Sequence, residues 1–273
     1  MIKIKTIESL SELTALKEAY FNSAIAPLDG MWHFGFVPMA KHFGFYVKQS
    51  LVGFCCVNDE SYLLQFYIEP NYHKFSQELF TLIAQQNSSI IGEVKGAFVS
   101  TSEPNYLALS LDNSASFKVN ALMYQYNTKL TNNTAEIIEM QLACDKQLSE
   151  FVSFAVANIS APEQWLTQYY GNLIARKELF GYWFKGQLLA VGECRLFDQY
   201  QTEYADLGMI VAKSARGQGL AQKVLKYLTK HADNQGLKAI CSTESSNIAA
   251  QKSITHAGFT STHRIVQFEF SQE

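Results

Sequence analysis

Two hydrophobic periods alternate along the second half of the chain. Short apolar runs, rich in β-branched and aromatic residues, read as strands over Ile138 to Ala143, Leu179 to Phe184, Leu188 to Leu196, Ala205 to Val211, Ala239 to Thr243 and Arg264 to Phe270. Helical spacing occupies Lys146 to Asn158, Pro162 to Arg176 and Asn247 to Ala257. In the stretch "SARGQGLAQKVLKYL", Ala221, Val224, Leu225 and Leu228 fall at i, i+3, i+4 and i+7, one buried helix face. Lys185-Gly186-Gln187 turns a hairpin, and Gly258 stands where a helix ends with positive φ. The order is a short strand, two helices, a hairpin, a strand, a helix, a strand, a helix and a closing strand. It predicts an α/β fold, mixed layers around a central sheet.

The same order recurs upstream. "GFYVKQSLVGF" (Gly44 to Phe54) and "GYWFKGQLLAV" (Gly181 to Val191) stand 137 residues apart. "AFVSTSEPNYLA" (Ala97 to Ala108) and "AICSTESSNIAA" (Ala239 to Ala250) stand 142 apart, an offset that also pairs Tyr62 with Tyr204, Ile68 with Ile210, Phe117 with Phe259 and Gln125 with Gln267. Five residues inserted near "FDQYQTE" account for the change of offset. The series predicts two copies of one domain, residues 1–130 and 131–273, joined through the polar segment Tyr126 to Glu136.

Composition narrows the function classes. The chain has 273 residues, 48% hydrophobic and 17% charged, with a net charge of −3, enough for two ordinary cores and without a basic footprint for nucleic acid or anionic lipid. No run approaches a membrane span and "MIKIKTIESL" has no signal-peptide core, so a cytoplasmic protein is expected. Its five cysteines form no CxxC pair and read as reduced thiols, with Cys194 and Cys241 as core residues. His33, His42 and His73 show no metal-ligand spacing, and no metal is expected; His231 and His256 read as surface or structural residues.

Candidate chemistry centres on Arg216-Gly217-Gln218-Gly219-Leu220-Ala221, which follows a strand and opens a helix. Glycines there let the backbone take unusual dihedrals, and the helix N-terminus offers unpaired N–H groups and partial positive charge to a phosphate. This segment, with Asn247 and the later Gly258-Phe259, resembles the signatures of the GNAT superfamily of acyl-CoA-dependent N-acyltransferases. The resemblance covers residues 136–272 and extends more faintly over the first copy. It implies two tandem GNAT-like domains and acetyl-CoA as cosubstrate. The pyrophosphate would lie at Gly217 to Ala221 beside Arg216, the pantetheine arm along Met209, Ile210 and Val211, and Asn247 near the thioester. Asn247 also reads as a plain helix cap. At the offset of 142, Lys74, Gln77 and Leu79 replace Arg216, Gly219 and Ala221, so the first copy reads as degenerate and without the cofactor site.

The resemblance also implies direct attack by an amine on the thioester, assisted by a carboxylate that removes a proton. Asp206 and Glu244 are the candidates, with Glu203 and Glu193 behind them; each also reads as a solvated acid at a strand end. The family's usual tyrosine acid, seven residues after the Asn, falls on Ile254, which leaves Ser253, another tyrosine or water. Trp165, Tyr169, Tyr170 and Trp183 lie where acceptor-side elements would be, with core packing as the plainer reading. The expected function is N-acetylation of a small-molecule or peptide amine by a monomer whose two halves imitate a dimer. The alternatives are a non-catalytic acyl-CoA-binding or regulatory module, and transfer from aminoacyl-tRNA, which the acidic balance opposes.

Overall fold

The computed structural model of the protein describes residues 2–127, 138–159 and 161–271. Of the link expected at Tyr126 to Glu136, residues 128–136 lie outside the described residues. The chain forms two compact units, Met1–Leu122 with His263–Glu273, and Met123–Thr262. Each is a mixed α/β unit.

In unit 1 the elements are β1 (Ile2–Thr6), α1 (Thr14–Ser23), β2 (Lys41–Val47), β3 (Ser50–Val57), β4 (Tyr62–Ile68), α2 (Ser76–Ala84), β5 (Gly96–Ser100), α3 (Pro104–Asp112) and the first part of β6 (Ser114–Tyr126). The second helix expected in this copy is replaced by short helical turns over Trp32–Phe36 and Val37–Met39. Gly30, Gly35 and Pro38 crowd that segment, and both residue types disfavour a helix interior. Strands β1 to β4 pair antiparallel in sequence order, and β5 joins β4 in parallel. The chain's last strand, β12 (Phe259–Phe270), closes this sheet through Ile265↔Ser100 to Glu269↔Gly96. Aromatic packing dominates the core, where Phe45, Phe66, Phe80, Tyr106 and Phe268 meet aliphatic residues of α2, β4 and β5.

Unit 2 contains β7 (Gln141–Leu142), α4 (Leu148–Ile159), α5 (Glu163–Ala175), β8 (Leu179–Phe184), β9 (Gln187–Leu196), β10 (Tyr204–Val211), α6 (Leu220–Asp233), β11 (Lys238–Glu244) and α7 (Ile248–His256). Its strand order is β6-β11-β10-β9-β8-β7. The strand expected over Ile138 to Ala143 is reduced to two residues, while its flanking apolar side chains Ile138, Met140 and Ala143 remain buried. Lys185 and Gly186, with φ of 50° and 77°, make the hairpin turn that matches strand twist. Helix α6 buries Leu220, Val224, Leu225, Leu228 and Ala232 and packs on β9, β10 and β11. Helices α4 and α5 pack together over Phe151, Leu166, Tyr170 and Leu173.

One feature of the parallel pairs positions the chemistry. In unit 2, β10 and β11 pair only from Tyr204↔Lys238 to Asp206↔Ile240, while β10 stays paired with β9 as far as Val211↔Ala190. Beyond Asp206 the two strands part, leaving a cleft whose wall is a strand with one edge unpaired.

Candidate cofactor cleft and active site

The cleft in unit 2 is a cavity of about 520 Å³, lined by Met209, Ile210 and Val211 of β10, the loop before α6, the first turn of α6, and α7. From the loop come Ala215, Arg216, Gly217 and Gly219, and from α6 Leu220 and Ala221. Gly217 and Gly219 take φ of 77° and 74°, the left-handed region that L residues rarely adopt, and a Cβ at either would meet nothing within 4 Å. The loop therefore keeps open space beside the N-terminus of a 14-residue helix, where N–H groups lack intrahelical partners. This is the geometry an anion requires, and it fits a pyrophosphate.

Arg216 is exposed and tethered, its Nε donating to the Val211 carbonyl at 3.2 Å and its Nη2 to the Asn158 carbonyl at 3.0 Å. The Asn158 side chain in turn accepts from the Lys213 N–H at 2.8 Å, so the end of α4 holds both ends of the loop's first turn. Gln218 is outside the cavity lining; its Nε2 donates to the Ser214 carbonyl across the loop. Asn247 lines the cavity and caps α7, its Oδ1 accepting from the Ala250 N–H at 3.1 Å.

Lys252 was not singled out by sequence reasoning, and His256 was read there as surface or structural; both line the cavity from α7. Their spacing of four, one helical turn, puts them on one helix face, but the sequence does not say that this face meets a cavity. Gln222 Nε2 donates to the His256 carbonyl at 2.7 Å, which places His256 beside the first turn of α6. Three cationic or titratable side chains thus surround the glycine loop.

The carboxylates are placed differently. Asp206, only 1% exposed, is not part of the cavity lining; its Oδ2 accepts from Arg195 Nε at 3.0 Å and Nη2 at 2.7 Å. Arg195 also donates to Glu193 Oε2 and to the Tyr169 hydroxyl, which itself donates to Glu193 Oε2 at 2.7 Å. Burial opposes the Arg195 charge, and Asp206, Tyr169 and Glu193 more than offset it, holding its pKa above the ordinary arginine value. A Cβ at Gly208 would stand 2.8 Å from Arg195 Nη1, so a larger residue there would have to displace the cluster. Sequence reasoning weighed Asp206 as a base; in the structure it is the buried counter-ion of Arg195. Glu193 belongs to the same cluster, and Tyr169 stacks on Trp165 at 4.7 Å between ring centroids. Glu244 is exposed at the end of β11, with Ser246 Oγ donating to its Oε2 at 3.3 Å. Ile254 is buried at 3% exposure, and Ser253 lines the cavity while its hydroxyl donates to the Ala249 carbonyl.

In unit 2 a mixed sheet splays beside a glycine-headed helix. Residues 9–127 match the family described as "Acetyltransferase (GNAT) domain", and residues 146–259 match "Acetyltransferase (GNAT) family". A solved GNAT-family acetyltransferase from Colwellia psychrerythraea is 76% identical, covering 98% of this chain and 100% of that one, with a TM-score of 0.94. The chain belongs to the GNAT acetyltransferase family, as two GNAT domains in tandem. Its fold is shared by a tandem GNAT protein from the clavulanic acid biosynthesis pathway, at 12% identity, 98% of both chains and a TM-score of 0.67. It is shared as well by a GCN5-related N-acetyltransferase from Sphaerobacter thermophilus, at 10% identity, 100% of this chain, 96% of that one and a TM-score of 0.66. No curated protein matches the sequence. Among the described residues no helix is long and apolar enough to cross a membrane.

Proposed function

We propose that unit 2 binds acetyl-CoA in the β10–β11 cleft and transfers its acetyl group to an amine of a small molecule or peptide. The observation that carries this reading is the pair of positive-φ glycines, with empty space above them, at the head of α6. When bound, acetyl-CoA supplies an acetyl thioester activated toward a neutral amine. The N–H groups from Gly217 to Ala221 hold the pyrophosphate, with Arg216 and Lys252 adding positive charge around it. Backbone groups of Met209, Ile210 and Val211, unpaired on the cleft side, hold the amide-bearing arm as a further strand would. Asn247 fixes the start of α7 against the arm. With Asp206 committed to Arg195, Glu244, exposed at the end of β11 and outside the cavity lining, is the remaining candidate to take a proton from an incoming ammonium group. The test is thioester consumption with acetyl-CoA across a panel of amines, in wild type and in Gly219→Glu. Turnover in the wild type that the variant lacks supports the reading; equal turnover in both refutes it.

The buried Ile254, at the position of the family's tyrosine acid, favours a second reading, a module that binds acyl-CoA without turnover. Coenzyme A binding with no thioester consumption on any amine would select it.

A further inference from the structure

Unit 1 opens its own parallel pair. Strands β4 and β5 pair only at Tyr62↔Gly96 and Leu63↔Ala97, whereas β4 stays paired with β3 out to Ile68↔Gly53. The gap holds a cavity of about 270 Å³ whose walls include Tyr20, Phe66, Tyr67 and Tyr106, with Glu103 and Asp112. It lies where unit 2 has its cofactor cleft, but its chemistry is reversed. No positive-φ glycine heads α2, and no lysine or arginine lines the space. Lys74, the counterpart of Arg216, is exposed, and its Nζ lies over the Phe75 ring at 5.1 Å. His73, which also lines the cavity, has its Nε2 on the Ile68 carbonyl at 3.1 Å. The glycine cradle and the basic side chains of unit 2 are therefore missing from the lining, where aromatic faces and two carboxyls, groups that attract cations, stand beside the first turns of α2 and α3.

Glu103 makes the cavity selective. Its Oε1 accepts from the Tyr20 hydroxyl at 2.6 Å and its Oε2 from the Ser100 N–H at 2.9 Å. Each carboxylate oxygen can accept once more. Burial at 9% exposure disfavours the charged carboxylate, and a partner of opposite sign offsets that cost. At about 30 Å³ of liquid volume per water-sized group, the cavity has room for a ligand of roughly ten non-hydrogen atoms.

We propose that this cavity is a second ligand site, for a small organic cation with a primary ammonium group and an apolar body. The ammonium pairs with Glu103 and the body packs against Phe66, Tyr67 and Tyr106. The site stands whether or not unit 2 acetylates amines, and its test reads binding alone.

The probe is 2-phenylethylamine, compared with 2-phenylethanol and 3-phenylpropionate by titration calorimetry on the whole chain. Binding of the amine in preference to both analogues is expected. Ala108, exposed on α3 and lining the cavity, provides a substitution that spares the core. Ala108→Trp should abolish amine binding while leaving the coenzyme A response of unit 2 intact. Glu103→Gln should weaken the amine roughly tenfold or more, the loss of one charge-assisted contact. Absence of amine binding at millimolar concentration, equal binding of the alcohol or the carboxylate, or binding unchanged in Ala108→Trp would each overturn the proposal. The Ala108→Trp comparison keeps it refutable should Glu103→Gln fail to fold.

Discussion

Gly219 carries two separable burdens, a left-handed backbone and an open anion site, and a matched control distinguishes them. At φ of 74° an L residue costs roughly 1–2 kcal/mol in the unliganded protein. A Cβ there meets nothing within 4 Å, so no steric cost adds to it. Gly236, between α6 and β11, has φ of 75° and equally open surroundings, but it is not part of the cavity. Gly219→Glu and Gly236→Ala should therefore lose similar amounts of unliganded stability. Their responses to coenzyme A should differ. A ligand at a hundredfold excess over Kd stabilises by about 2.7 kcal/mol. At about 2–4 °C per kcal/mol for a domain of 150–250 residues, Tm rises by roughly 5–11 °C. Wild type and Gly236→Ala should show that rise by calorimetry or dye-based melting, and Gly219→Glu should not. A coenzyme A shift preserved in Gly219→Glu would refute the placement of the pyrophosphate at the head of α6.

Four further outcomes follow from the structure. Asp206→Asn leaves Arg195 short of a buried counter-charge and should lose about 3 kcal/mol in urea unfolding; lost turnover at unchanged stability would restore Asp206 as a base. Ile254→Tyr supplies the missing hydroxyl and should raise turnover if thiolate protonation limits the rate, whereas Glu244→Gln should lower it with coenzyme A binding unchanged; full activity in Glu244→Gln removes that residue from the proton path. Burial pushes Glu103 up to about 7 from an ordinary 4.5, so the folded chain holds that proton more tightly and loses this advantage as pH rises from about 4.5 to 7. His42, pushed down by burial to about 4, acts in the opposite sense, so the measured quantity is the stability difference between Glu103→Gln and wild type. That difference should move in favour of the variant from pH 4.5 to 7 and then stay level; a flat difference refutes the linkage.

Much of the candidate site was legible because its chemistry is local. The glycine loop, the strand before it and the helix after it are consecutive in sequence, and a backbone site of this kind is written in residue type and order. Asn247 was legible for the same reason: its side chain caps α7, and the residue lines the cleft. Lys252 and His256 were harder to see because nothing in a helical pattern says which face looks into a cavity.

The sequence by itself determined the tandem organisation, the α/β alternation, the hairpin turn at Lys185-Gly186 and the glycine loop at the head of α6. These depend on periodicity, turn residues and spacing, which short-range sterics dictate. Tertiary structure decided the rest. The repeat assigned the final strand to the second copy, yet from His263 onward it belongs to unit 1, because two copies carrying equivalent strands pair equally well in either arrangement on local grounds. Asp206 and Glu244 looked alike as acids near strand ends. Only the placement of Arg195 on the neighbouring strand made one a buried counter-ion and left the other in solvent, since a carboxylate's role is set by the charge and water around it rather than by its neighbours in sequence.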